Sequence, residues 1–331
     1  MFFLGLTSTT ATPQQILTDV IGLLTGSITA TTGLSASWVQ SSSYMFNTTA
    51  AGWTLYDTAA GTTTNSFTPV VIRSAWSDSA SNYKNLRFNI GSAGWATMNG
   101  YHTWDSGTHT GTLPHVSSPA TTSSWQNFQL LANTYIMVSA SSNYILINAF
   151  SNNQFGQGYI VGAFEFTRDD PWNTVANGYP SWFTVGDSST GSSQTLSNIG
   201  ISQAYNMSTA ANVNQVLGTT NYIGIAPGMV CIDLNSSQNY GGFSSSNFLN
   251  NSYANTVGAD LNKNAVSYMQ PFGLRSTAAS GIMLGGMTSA TQSSVYLFKN
   301  IWNAGDEVVI NGSTYFLIKA GTYATLLVKE I

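Results

Sequence analysis

Tyr83-Lys84-Asn85-Leu86-Arg87-Phe88-Asn89-Ile90 decides the fold class. Tyr83, Asn85, Arg87 and Asn89 alternate with Lys84, Leu86, Phe88 and Ile90, the period of two that puts successive side chains on opposite faces of a strand. The same alternation precedes it at Trp53 and Leu55 and at Val70, Ile72, Ser74 and Trp76. Further strand-like runs follow at Trp95–Trp104, Phe128–Leu130, Tyr135–Ala140, Tyr144–Phe150 and Tyr159–Phe166. Gly, Ser and Asn clusters separate them at the short spacing of antiparallel folds, and Ser141-Ser142-Asn143 is a hairpin turn by its position. The expectation is a mainly β chain of antiparallel sheets, sandwich or barrel-like.

Two signals frame this region. Thr12-Pro13 before Ile16, Leu17, Val20, Ile21, Leu23 and Leu24 predicts one amphipathic helix over residues 13–24, with Thr12 as its cap and Pro13 where a missing N–H is harmless. Asp19 is the only charge before position 57, so the helix is expected to present a nearly neutral outer face and to pack its apolar side onto a sheet. At the other end, Asn311-Gly312 lies between Glu307–Ile310 and Ser313–Ile318. Both central residues of a type I′ turn need positive φ, which Asn and Gly tolerate, so this is a hairpin. With Val295–Phe298 and Ala324–Val328 it predicts a four-stranded C-terminal β-meander.

Composition then divides the chain and limits what it does. The 331 residues read as an N-terminal helix plus β domain (1–170), a loop-rich middle (171–291) and a C-terminal meander (292–331). In the middle, Gly186–Gln194 is a loop by composition and Ala204–Leu217 a weakly periodic candidate helix. Ser236–Asn255 mixes Ser, Asn and Gly with Tyr240, Phe243, Phe248 and Tyr253, four aromatic residues that a local loop has nowhere dry to put. They are therefore candidate interface residues, on an arm that lies against a neighbour. No fixed-period repeat is present.

Only 9 Lys+Arg and 13 Asp+Glu occur, 7% of the chain, against about 25% in an average soluble domain. With 43% hydrophobic residues the chain is not a charged disordered one. A net charge of −4 with no clustered basic residues disfavours nucleic acid as a partner. Solubility then rests on Ser, Thr, Asn, Gln and Gly, whose desolvation costs less than that of ions. Such a surface is expected to be covered by other subunits.

The single Cys231 makes no internal disulfide and reads as a small buried hydrophobe. Met1–Leu6 is apolar but lacks the basic residues and length of a signal peptide, and no run reaches the roughly 18 apolar residues of a membrane span. Synthesis in a cytoplasm without membrane insertion is the expectation. The Asn-x-Ser/Thr matches at Asn47, Asn206, Asn235, Asn250 and Asn311 are what chance yields in so polar a chain.

Chemistry-bearing patterns are few. His102, His109 and His115 lie near Asp105 and are weak metal-ligand candidates, since their spacing matches no common ligand pattern. Ordinary hydrogen-bonded histidines are the competing reading. Glu165, Asp169 and Asp170 near Trp172 and Trp182 raise a two-carboxylate glycosidase, although Asp169-Asp170-Pro171 reads better as a turn. No nucleophile elbow, phosphate loop or dinucleotide fingerprint occurs. No catalytic residue, metal or cofactor is therefore expected. Nine Trp and 16 Tyr keep a glycan-binding module open as an alternative.

Three segments carry a resemblance: Ala51-Gly52-Trp53-Thr54-Leu55-Tyr56-Asp57, Gly162-Ala163-Phe164-Glu165-Phe166-Thr167-Arg168-Asp169-Asp170-Pro171-Trp172, and the hairpin from Glu307 to Ile318. Each resembles stretches of structural proteins from the virions of tailed bacteriophages. The resemblance implies assembly with itself and other virion proteins rather than chemistry, and it transfers no functional residue. The low charge departs from a typical major capsid protein. The expectation is a tail, neck or baseplate subunit, with a capsid decoration or vertex protein or a host-glycan or receptor-binding module as alternatives.

Overall fold

The computed structural model describes residues 1–40, 45–46, 50–91, 94–114, 126–151, 158–165, 182–185, 223–227, 268–269, 272–276, 283–286, 295–299, 305–319 and 324–330. Over these it is mainly β, built from antiparallel sheets with one helix near the N-terminus and no closed barrel.

A central sheet has the order β12-β11-β10-β9-β1-β2. Its strands are β1 (Phe2–Leu6), β2 (Met45–Phe46), β9 (Thr134–Ser141), β10 (Tyr144–Ser151), β11 (Gly158–Glu165) and β12 (Trp182–Val185). A second sheet runs β3 (Thr54–Asp57), β4 (Val70–Trp76), β5 (Ser79–Ile90), β6 (Trp95–Asp105) and β7 (Thr110–Pro114), with β8 (Gln126–Gln129) also on β6. The inner faces of the two sheets share one core. Ile72, Leu86, Phe88 and Met98 of the second sheet belong to the same apolar cluster as Val138, Ile145, Ile147 and Val161 of the central sheet.

Helix α1 (Pro13–Thr25) adds Ile16, Leu17, Val20, Leu23 and Leu24 to that cluster. Thr12 Oγ1 accepts the Gln15 amide at 3.4 Å, and Gly26 at φ 74 ends the helix with its amide donating to Leu23 O. The expected helix and its Thr12 cap are present, and Gly26 supplies a C-terminal cap that the sequence reading did not name. The outer face of the helix is neutral as expected, because the one charged residue, Asp19, is not on it. It is buried, and its Oδ2 accepts from the Ser35 amide, Ser35 Oγ and Trp38 Nε1 at 3.1, 2.6 and 2.7 Å. Its place beside Ile16 and Val20 turns it inward, where the three donors replace water.

Where its side chains are described, the central sheet is buried on both faces. Ile145, Ile147 and Ala149 of β10 face the shared core, and Tyr144, Leu146, Asn148 and Phe150 on the opposite face are buried as well. A strand with no solvent face loses its polar alternation, which is why Tyr144–Phe150 is almost continuously apolar. The apolar start of the chain has the same origin. Phe3 packs edge-on against Trp38 at 5.0 Å in the shared core, while Phe2 reaches Phe316 at 6.1 Å on the other side.

Phe316 belongs to the sheet β14-β17-β20-β19-β18, formed by β14 (Tyr268–Met269), β17 (Val295–Lys299), β18 (Glu307–Ile310), β19 (Ser313–Lys319) and β20 (Ala324–Lys329). The hairpin turns at Asn311 (φ 50) and Gly312 (φ 79), as the type I′ reading requires. The meander covers β18, β19 and β20 only. The expected fourth strand, β17, pairs with β20 and not with β18, a Greek-key order. No tight-turn dipeptide connects β17 to β18, so nothing local forces them to be neighbours. A small sheet of β13 (Ile223–Pro227), β15 (Phe272–Ser276) and β16 (Met283–Gly286) completes the described strands. Gly186–Gln194, Ala204–Leu217, Cys231 and Ser236–Asn255 lie outside the described residues.

Candidate functional site

Among the described residues two centres set a carboxylate against a nitrogen base, and the deeper one lies between the two sheets. Lys84 occupies an inner-face position of β5, in line with Leu86 and Phe88, so the strand's period carries its long side chain into the core. Its Nζ lies 2.8 Å from Glu165 Oε2, with both side chains fully buried. Nζ also donates to Ala75 O on β4. Glu165 ends β11, and its own amide donates to Asn143 O at 2.8 Å. Oε1 accepts from the Ser77 amide and from Ser77 Oγ at 2.6 Å. Oε2 accepts a second donor, Asn143 Nδ2, at 3.2 Å.

The β9–β10 turn is held against this centre by three other contacts. Trp53 Nε1 donates to Ser141 O at 2.8 Å and Ser74 Oγ donates to Ser142 O at 3.0 Å. Gly52, at φ 81, packs so close to Ser142 that an added Cβ would lie 3.1 Å from Ser142 Cβ. The Trp53 ring stands 6.0 Å from Lys84 Nζ and shields the amine. Burial pushes the Lys84 ammonium below its ordinary pKa, and the charge of Glu165 acts against that shift.

The second centre closes the outer face of the second sheet. Asp57, at the end of edge strand β3, is buried and accepts Trp104 Nε1 at 2.8 Å and the Ala59 amide at 2.9 Å. His109 Nδ1 lies 3.1 and 3.0 Å from the two carboxylate oxygens. The His109 side chain is 43% exposed, against 3% for Asp57. The β6–β7 turn brings the histidine back. Asp105 Oδ1 accepts the Gly107 amide at 2.7 Å, and His109 itself takes the left-handed φ of 55. Burial raises the Asp57 pKa, but hydrogen bonds from His109, Ala59 and Trp104 outweigh it and hold the carboxyl below its ordinary value.

These positions revise the sequence expectations in part. His109 is the partner of a carboxylate, the ordinary hydrogen-bonded histidine. The side chain of His102, on β6, and the whole of His115 lie outside the described residues. Among the described residues no group of three His, Cys, Asp or Glu is placed to hold a metal. Glu165, raised as half of a glycosidase pair, is fully buried and hydrogen-bonded by Lys84, Ser77 and Asn143. Asp169, Asp170 and Trp172 fall outside the described residues, as do the interface candidates Tyr240, Phe243, Phe248 and Tyr253. Sequence reasoning missed the Lys84 centre. Its one signal was a lysine in the apolar register of an otherwise inward-facing strand.

No family model matches the chain, nor does the sequence of any curated protein.

Proposed function

We propose that the chain is a non-enzymatic structural subunit of a tailed-phage virion, in the tail, neck or baseplate, acting through broad contacts with copies of itself and with other virion proteins. It is made in the host cytoplasm and works in the particle. The observation that supports this reading is where the few charges go. Asp19, Asp57, Lys84, Glu165 and Glu330 are all buried, and the guanidinium of Arg73 lies 3.7 and 4.1 Å from the Tyr56 and Tyr83 ring centroids. Asp19, Asp57, Lys84 and Glu165 hold segments of the fold together through buried hydrogen bonds, and with only 22 charges in 331 residues most of the polar surface falls to hydroxyls and amides. That surface is cheap to desolvate over a large area. A sheet covered on both faces adds the durability that a particle subunit needs.

The test is assembly. Native mass spectrometry and light scattering should find oligomers that persist in about 0.5 M salt, where exposed ion pairs are screened. Their interfaces should belong to the permanent class, above about 2,000 Å² in total. Deletion of residues 236–255 should abolish incorporation into particles while the circular dichroism of the β sheets is retained. A stable monomer absent from purified virions would sink the proposal. A monomer that binds glycans would replace it with the receptor-binding alternative, and labelling confined to the head exterior would replace it with a decoration or vertex protein.

A further inference from the structure

We propose that Lys84 and Asn143 join in an intramolecular amide cross-link between the two sheets of the main core, with Glu165 as the catalytic acid and base. The two reacting side chains meet on one oxygen: Glu165 Oε2 accepts from Lys84 Nζ at 2.8 Å and from Asn143 Nδ2 at 3.2 Å. Ser77 occupies the other oxygen through its amide and hydroxyl, so Oε2 is held for the two nitrogens. Ala75 O accepts a further Nζ hydrogen and orients the amine. Ser142 Oγ donates to Asn143 Oδ1 at 3.1 Å, the oxygen on which negative charge develops when the amide carbon is attacked.

The step balances without any co-reactant. Glu165 takes a proton from the Lys84 ammonium, and the neutral Nζ attacks Asn143 Cγ. Glu165 returns that proton to Nδ2 and takes the next from Nζ. The Nζ–Cγ bond forms, the Cγ–Nδ2 bond breaks and ammonia leaves, with a neutral amide and a protonated Glu165 remaining. Burial favours the neutral amine on which the attack depends. It also favours the product, because a desolvated ion pair is exchanged for uncharged groups. Water is excluded by the same enclosure, with both ionic side chains at 0% exposure. Proximity does the rest, since Lys84 from β5 and Asn143 from the β9–β10 turn are both held within hydrogen-bond reach of the same oxygen of Glu165 at the end of β11.

The mass of the purified full chain under denaturing conditions tests this independently of its assembly. The expected result is the sequence mass less one ammonia, with a branched proteolytic peptide joining Lys84 to Asn143. Lys84→Met, Glu165→Gln and Asn143→Ala should each keep the full mass of their sequence, whereas Asn143→Asp should cross-link with loss of water. Asn143 is half-buried in a turn, so its variants report even where those at Lys84 and Glu165 fail to fold. Folded wild-type protein that stays at its full sequence mass after prolonged incubation would overturn the proposal. Loss of ammonia localised by peptide mapping to Asn143 that survives Lys84→Met would overturn it too, because that asparagine would then be cyclising on its own backbone.

Discussion

The Lys84–Glu165 centre and the Asp57–His109 clasp use similar chemistry at different depths. Each sets a carboxylate against a nitrogen base, and each ties together segments far apart in the chain, 81 residues in one case and 52 in the other. In the first, both partners are sealed from solvent, and each charge depends on the other and on Ser77, Ala75 and Asn143. In the second, the carboxylate is buried but the imidazole is not, so water can replace the histidine. Depth, and not the residue types, makes the first centre rigid and the second adjustable.

The largest expected effect is at the deep centre. Measured in the Asn143→Ala background, where Lys84 keeps its ammonium, Glu165→Ala strands an unpaired ammonium in the core and should cost about 3–5 kcal/mol in urea-induced unfolding. Replacing both partners, Lys84→Met with Glu165→Leu, should restore most of that loss, since two apolar side chains of similar length remove the desolvation penalty as well as the attraction. A single-site loss below about 1 kcal/mol, the size of an exposed pair, would erase the contrast between the two centres.

At the clasp, Asp57→Ala should cost about 1–3 kcal/mol, because Trp104 Nε1 and the Ala59 amide lose their acceptor. His109→Ala should cost less than about 1 kcal/mol by the same measurement, since water takes over the vacant hydrogen bond. A larger loss for His109 than for Asp57 would mean that the histidine, and not the carboxylate, organises the turn.

Acid titration adds a sign to the comparison, and that sign separates Asp57 from Glu330. The carboxyl of Asp57 lies below its ordinary value of 3.8, so the unfolded chain binds more protons in the interval between the two values. Its contribution is complete above 3.8 and is lost as pH falls through the lowered value. Glu330, in the C-terminal sheet, is pushed from 4.5 up to about 7 by burial and by the charge of Glu307. Here the folded chain binds more protons, so stability should fall as pH rises from 4.5 to about 7. Asp57→Asn and Glu330→Gln should each abolish the corresponding slope in thermal unfolding followed across pH. Parallel slopes in the two variants would contradict this pairing of signs.

Much of the fold was legible because its signals are local. The period of two in Tyr83–Ile90 needs only the geometry of one strand. Thr12-Pro13 needs only the first turn of a helix, and Asn311-Gly312 needs only the φ values that those two residues tolerate. The same period also placed Lys84 on the face shared by Leu86 and Phe88. It carried no information about what lay opposite. Glu165 became the partner of Lys84 only when β11 was laid in the central sheet and that sheet was packed onto the second one.

The other departures have the same cause. Composition gave Asp19 no inward partner, but Ser35 and Trp38 wait for it inside. Phe2–Leu6 carries no hairpin signal, yet it lies between β9 and β2 because both of its faces find apolar cover. Val295–Lys299 follows the pattern of a strand, but only the packed sheet places it beside β20 instead of β18. The sequence by itself determined the helix, the Asn311-Gly312 hairpin and most strands of the two large sheets, since these depend on neighbours one to four positions away. Only the tertiary structure decided which strand pairs with which and which charge meets which, because those contacts are chosen by whole layers competing for one dry interior.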